Sequence, residues 1–436
     1  MEMKEKYYEK ILRNHKSDSF DFYAPAIELI NKYPDTQNNI FLSVTALVIA
    51  PVLTSYILWV LQDAIKHKID TLLFQARDGF AMYKIAQILC KTWGLDINCE
   101  YFYASRQSLR LPLYAIDKAY TLKQHFDPNS NNNDLQAVLT AAGLTPYECD
   151  DVLQHINPKN DIQTELENSA LFDKYAFERA SKALEDARGY FNQIVPRSFA
   201  LVDSGWIGNI QESFGKLHEY FTGQSRDTVR GYYFGMISTP PQNAGIYNSY
   251  YFSPKKYFRR FNGFCINLFE SLCAAEHGRT IGYKREGEKW MPVLTENEAK
   301  GHIAGQIKMY ETYASFFTQH NDKTHQLQDM CPTIHKLLHA FMHNPSKEEA
   351  EAYGTIPFSR WVLDNDMSTL ARPLTKNEIR QYTLSWRIIN KRRIKNQVFW
   401  RQGAAALSNI SWIQKLDVKL LLFAYWLKIK MKGNYR

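Results

Sequence analysis

At 436 residues the chain exceeds the usual size of one compact domain, and 45% hydrophobic and 14% aromatic residues exclude a disordered or low-complexity polymer. The net charge of +8 is unevenly placed: residues 372–436 carry fifteen Lys or Arg against Glu378 and Asp417, so this segment is +13 and the rest is −5, which excludes a uniformly basic fold. Six cysteines (Cys90, Cys99, Cys149, Cys265, Cys273 and Cys331) form no CxxC pair, which excludes a disulfide framework and suits a reduced, cytoplasmic compartment.

The N-terminus, MEMKEKYYEK, lacks an apolar h-region, so no secretory signal is expected. Residues 41–62, FLSVTALVIAPVLTSYILWVLQ, carry no charge and are long enough to span a bilayer. Pro51, the Ser and Thr residues, and the direct continuation toward a strand favour a buried helix packed on a sheet.

TLLFQARDG then reads as a strand ending in a polar turn, FAMYKIAQILCKTW as a helix, and NCEYFYASR as a second strand ending in a polar pair. Strand, helix, strand implies a right-handed parallel crossover. Residues 113–196 read as a helical insertion interrupted by the Asn-rich loop DPNSNNND, placed as a cap over the site. SFALVDSGW supplies a third strand, followed by a helix from about Gly208, and VRGYYFGMI a fourth. The segment 240–283 reads as aromatic loops, and helical periods return from about 296. The expected fold is α/β: a Rossmann-like parallel-sheet domain over 1–285, a helical region over 286–371, and a basic amphipathic helical tail over 372–436. His335, His339 and His343 recur every four residues without a nearby acid and read as a polar helical stripe rather than a zinc site.

In a parallel sheet, residues at the carboxyl ends of strands converge on one crevice, where helix N-termini favour anions. That places Arg77, Asp78, Gly79, Ser105, Arg106, Asp203, Ser204 and Gly205 in one candidate site. Asp78 and Asp203 suit Mg2+, a hard cation that prefers carboxylate oxygens. Arg77 and Arg106 suit a bidentate clamp on phosphoryl oxygens, Ser105 a hydroxyl donor, and the backbone of 204–208 a cradle. The competing reading is that both aspartates cap helices. Trp206 is a candidate for stacking on a sugar ring or a core tryptophan, with Gln211 beside it. Glu270 and Glu276 are candidates for the pocket wall or for solvated helix charges.

The runs LLFQARDGFAMYKIA, YFYASRQSLRLP and ALVDSGWIGNIQESF resemble a bacterial family assigned to the haloacid-dehalogenase (HAD) superfamily and found in polysaccharide and capsule biosynthesis loci; the likeness covers about residues 40–285. The resemblance implies that Asp78 belongs to the first catalytic motif, Ser105 to the phosphate-binding second, and Asp203 to the Mg2+-binding fourth. It implies a Mg2+-dependent phosphohydrolase or phosphotransferase acting on a phosphorylated sugar. The superfamily pattern has two aspartates one residue apart, whereas here Ala76 precedes and Phe80 follows Asp78, so either the nucleophile or the acid/base is missing. The alternatives are a non-catalytic scaffold for glycosyltransferases and a glycosyltransferase using a nucleotide-sugar.

The tail segment WIQKLDVKLLLFAYWLKIKMK, apolar and aromatic between lysines, fits a helix on an anionic membrane surface, making the protein peripheral on the inner face of the cell membrane. A core or partner helix is the second reading. Nucleic acid is the third, on the evidence of KRRIK, and the tryptophans of the tail argue against it.

Overall fold

The structure is a computed structural model and describes residues 2–15, 20–33, 39–126, 135–157, 161–296, 300–325, 327, 329–358, 368–389 and 398–432. The Asn-rich loop at 127–134 and the KRRIK run at 391–395 lie outside the described residues. Five strands, β1 (Thr71–Gln75), β2 (Asn98–Phe102), β3 (Phe199–Trp206), β4 (Arg230–Met236) and β5 (Ile246–Phe252), form one parallel sheet in the order β2-β1-β3-β4-β5.

The pattern of β1 explains its place inside the sheet. Every residue of the strand is buried; Leu72 and Phe74 enter one apolar cluster and Leu73 another, because successive side chains leave opposite faces. A strand covered on both faces is apolar until it leaves the sheet, which is why TLLF precedes the polar Gln75. The chain leaves β1 through the helix Phe80–Trp93 to β2 on one side, and returns through the helical insertion to β3 on the other. The order therefore reverses at β1, and the crevice beyond the carboxyl ends of β1 and β3 is the switch point where such sheets bind ligands.

The apolar run becomes a helix, Ile40–Lys66, with one π-helical turn at Thr45–Ile49; 94% of its most apolar stretch is buried within the protein. Pro51, which has no N–H to give the ladder, lies just past that π-helical turn. The hydroxyl of Tyr56 donates to the Asp203 carbonyl at 3.0 Å, so this helix braces the site strand.

Helices fill the expected insertion, from Lys118–His125 to the long Ala170–Ile194, and several of them share an apolar cluster of their own that includes Leu122, Leu139, Val152 and Phe172. The region expected to be loops holds β5. Beyond it, Thr280–Glu286 (β6) and Lys289–Leu294 (β7) form an antiparallel hairpin whose turn uses Gly287 at φ +62°. One apolar core joins the sheet and the helix Phe80–Trp93 to the later helices Lys300–His320 and Cys331–Leu338, through residues such as Ile85, Tyr313, Phe317 and Leu337. The basic tail starts inside that core: Trp400 is fully buried and its Nε1–H donates to the Met342 carbonyl at 2.9 Å.

All six cysteines are reduced and buried, and packing brings Cys90 and Cys99 to an Sγ–Sγ distance of 3.8 Å. His335 Nδ1 lies 2.9 Å from the Tyr251 hydroxyl, and the rings of His339 and His343 lie 4.7 Å apart. Burial holds all three imidazoles below the ordinary histidine range, that of His343 at about 4.

Candidate active site

Residues 76–79 turn sharply off the end of β1. The Ala76 N–H continues the ladder to the Phe102 carbonyl at 3.0 Å, and the Gly79 N–H folds back to the Gln75 carbonyl at 2.8 Å. A Cβ on Gly79 would lie 2.5 Å from that carbonyl oxygen, so only glycine fits the turn that presents Arg77 and Asp78. Gly79 is buried; its surroundings explain it as a backbone device and not as the substrate contact its motif suggests.

Asp203, Ser204, Gly205 and Trp206 continue as strand and do not form a turn after it. Asp203 pairs in register with Tyr233 of β4 and is buried. Its Oδ1 accepts the Ser204 N–H at 2.7 Å, and the Ser204 hydroxyl donates to Asp78 Oδ2 at 3.2 Å. The first and third strand motifs are thus bonded together. The Ser204 N–H is committed to Asp203, so this part of the expected anion cradle is already satisfied within the protein. Gly205, at φ +132°, would place a Cβ 2.0 Å from the Gly235 carbonyl oxygen; it serves the approach of β3 to β4.

Three carboxyls share the crevice. Burial raises Asp78, Asp203 and Glu270 above their ordinary ranges, Glu270 to about 7; Asp78 raises both of the others and Glu270 raises Asp203, whereas the neighbours that act on Asp78 lower it. Arg77 and Arg106 lower Asp78 and Glu270 in opposition. A third guanidinium, Arg279, is held below its ordinary value by burial and by the nearness of Arg77 and Arg106. Acids that repel one another suit a cation, and guanidinium groups that repel one another suit an anion. The helices Phe80–Trp93 and Asn209–Thr222 both begin on a glycine, with no side-chain cap hydrogen bond.

Among the described residues no three His, Cys, Asp or Glu side chains gather closely enough to hold a metal unaided. Mg2+ commonly takes one or two carboxylates with the remainder from water and substrate phosphate, and Asp78 and Asp203, joined through Ser204, are a donor set of that chemistry.

Several expected roles change on the structure. The Ser105 hydroxyl accepts from the N–H groups of Gln107 and Ser108 and donates to the Thr280 carbonyl at 2.6 Å; with Ser108 it forms a capping box at the helix Arg106–Leu113. Ser105 caps the helix that begins at the exposed Arg106; it does not offer a free hydroxyl. Gln211 is fully buried, its Nε2 bonded to the Val229 carbonyl and its Oε1 to the Tyr233 hydroxyl, so it ties a helix to the sheet and does not meet substrate. Trp206 packs among Phe252, Phe264 and Phe269 as a core residue, and its Nε1–H donates to Glu270 Oε1 at 2.9 Å, which fixes that carboxyl instead of a sugar ring. Glu276 is exposed.

Sequence reasoning missed three residues. Gln75 ends β1, is buried, and its Nε2 has no protein partner. A polar residue closing an apolar strand was the available signal. Arg279 and His277 arrive from a distant segment, with Tyr101 Oη 2.7 Å from His277 Nε2. A cleft of about 680 Å3 lies elsewhere, lined by Leu111, Tyr175, Arg179 and Tyr283 among others and by none of the three crevice carboxyls. No protein-family model matches this chain, and no curated protein matches it.

Proposed function

We propose that the protein is a HAD-like, Mg2+-dependent phosphohydrolase or phosphotransferase of bacterial cell-surface polysaccharide biosynthesis that takes a phosphorylated sugar at the β1/β3 crevice. One observation carries the reading: three carboxyls, Asp78 and Asp203 joined through Ser204 and Glu270 held by Trp206, stand beside the arginines Arg77, Arg106 and Arg279 at the switch point of a parallel sheet. Arg77 and Arg106 bind phosphoryl oxygens, and Ser204 holds Asp78 in place. Asp78 and Asp203 hold the cation, which supplies charge neutralisation for the phosphoryl group. Glu270, with a pKa near neutrality and its orientation set by Trp206, carries the acid/base role that Phe80 cannot.

The test is calorimetry with a panel of sugar phosphates, with and without Mg2+, alongside phosphate release. Asp203→Asn is expected to abolish Mg2+-dependent binding; binding that is unchanged in that variant removes the metal-assisted site. A second reading, binding without turnover, is favoured by Phe80, whose ring packs edge-on against Tyr101 at 5.2 Å where the superfamily places an acid. Tight, Mg2+-dependent binding with no phosphate release from any substrate would select it.

A further inference from the structure

The C-terminal helix Trp412–Lys432 has a finished inner face and an unfinished outer one. Val418, Trp426 and Ile429 are buried, and the Trp426 Nε1–H donates to the Phe258 carbonyl at 2.9 Å. Asp417 accepts the Leu384 N–H at 3.0 Å, so the helix is anchored along its length. Outward, Ile413, Leu416, Leu420, Phe423 and Leu427 are between 38 and 59% exposed. At about 100° per residue these five fall within an arc of about 80°. Lys419 and Lys430 flank one edge of the stripe and Lys428 the other.

A second element joins this surface. Trp426 stacks on Phe258, and the loop around Phe258 presents the exposed residues Lys255, Lys256, Tyr257 and Arg259. Tyr257 adopts φ +59°, a region that costs a non-glycine residue energy, and its ring is 52% exposed with Arg260 stacked on it. An apolar stripe, aromatic residues at its margins and a rim of lysine and arginine is the composition of a helix seated at the headgroup level of a bilayer. Charge decides between occupants. The face is rimmed by Lys255, Lys256, Arg259, Lys419, Lys428 and Lys430, so two copies meeting by it would repel, whereas an acidic lipid surface is complementary.

We propose that this face, the outer stripe of Trp412–Lys432 together with Lys255, Lys256, Tyr257 and Arg259, docks the protein on an anionic lipid bilayer with the helix parallel to the surface. The full chain is tested by flotation with vesicles of neutral phosphatidylcholine and with vesicles containing about one third phosphatidylglycerol. Binding is expected to the anionic vesicles, at least tenfold weaker to the neutral ones, and weakened by 0.5 M salt. Leu420→Asp with Phe423→Asp is expected to lose at least tenfold in bound fraction, and Lys255→Glu with Lys256→Glu severalfold. Thermal melting confirms that these surface variants fold; should the double aspartate variant not fold, Leu420→Ser with Phe423→Ser replaces it. Equal binding by wild type and folded variants, or none by wild type, overturns the proposal. So does a lipid-free dimer in sedimentation that Phe423→Asp dissociates, because the stripe would then belong to a protein interface.

Discussion

The Ser204 hydroxyl donates to Asp78 Oδ2 at 3.2 Å, joining two motifs 126 positions apart in the chain. Ser204 is fully buried and Asp203 is its neighbour in the strand, so one short side chain sets the spacing of the two aspartates. Loss of this bond removes an interaction that lowers the Asp78 pKa. Ser204→Ala is expected to cost about 1–2 kcal/mol in urea unfolding. It is also expected to weaken Mg2+-dependent ligand binding by roughly tenfold, since 1.4 kcal/mol is a factor of ten. Unchanged stability and affinity would show that the aspartates are held by other contacts.

Gly205→Ala tests how closely β3 must approach β4. The added methyl would meet the Gly235 carbonyl oxygen at 2.0 Å on a backbone with φ +132°, and backbone cannot yield as a side chain can. A loss of at least about 3 kcal/mol is expected, from strain and overpacking together. Gly282→Ala, which meets nothing within 4 Å, is the control and is expected to melt like wild type. Equal melting of the two variants would contradict the packing argument.

The pH dependence follows from Glu270. Its carboxyl is raised from 4.5 to about 7, first by burial and then by Asp78. Between those values the folded chain binds more proton than the unfolded chain, so this group's contribution to stability declines as pH rises from about 4.5 to about 7. Ionisation also adds negative charge beside an anion site. Sulfate, which does not titrate in this range, is expected to bind roughly three- to tenfold more weakly at pH 8 than at pH 6 in metal-free protein. Glu270→Gln is expected to flatten that profile; a wild-type slope retained in this variant assigns it to another group.

Phe80→Asp restores the spacing of two aspartates that the first motif lacks. With Glu270 in the acid/base role as proposed, Phe80→Asp alone is expected to release phosphate from sugar phosphates at about the wild-type rate, while Glu270→Gln is expected to lose at least tenfold and Phe80→Asp added to it to regain most of that loss. No loss in Glu270→Gln would remove Glu270 from the role.

Much of the fold was readable because β1 is buried on both faces: an apolar run that stops at a polar residue marks where a parallel strand leaves the sheet. Asp78 was found that way; Asp203 was found by the same change from apolar to polar, although β3 runs on through Trp206. The strand β5 was missed because most of the residues of IYNSYYF are partly exposed at the sheet edge, which erases the contrast between apolar strand and polar loop. Ser105 was misassigned because a serine before a helix serves as cap or as ligand donor, and only the position of Thr280 decides. Arg279, His277 and the Trp206 to Glu270 bond were beyond reach, since each depends on packing of a segment far away in the chain.

In the proposed site Asp78 and Asp203 share a cation while Arg77 and Arg106 face an anion. A crystal soaked with Mn2+, for its anomalous signal, and with a phosphate mimic is expected to show a cation peak at the carboxylates of Asp78 and Asp203, with the anion adjoining it on the guanidinium side. A peak elsewhere, or an anion bound away from Arg77 and Arg106, would contradict this arrangement.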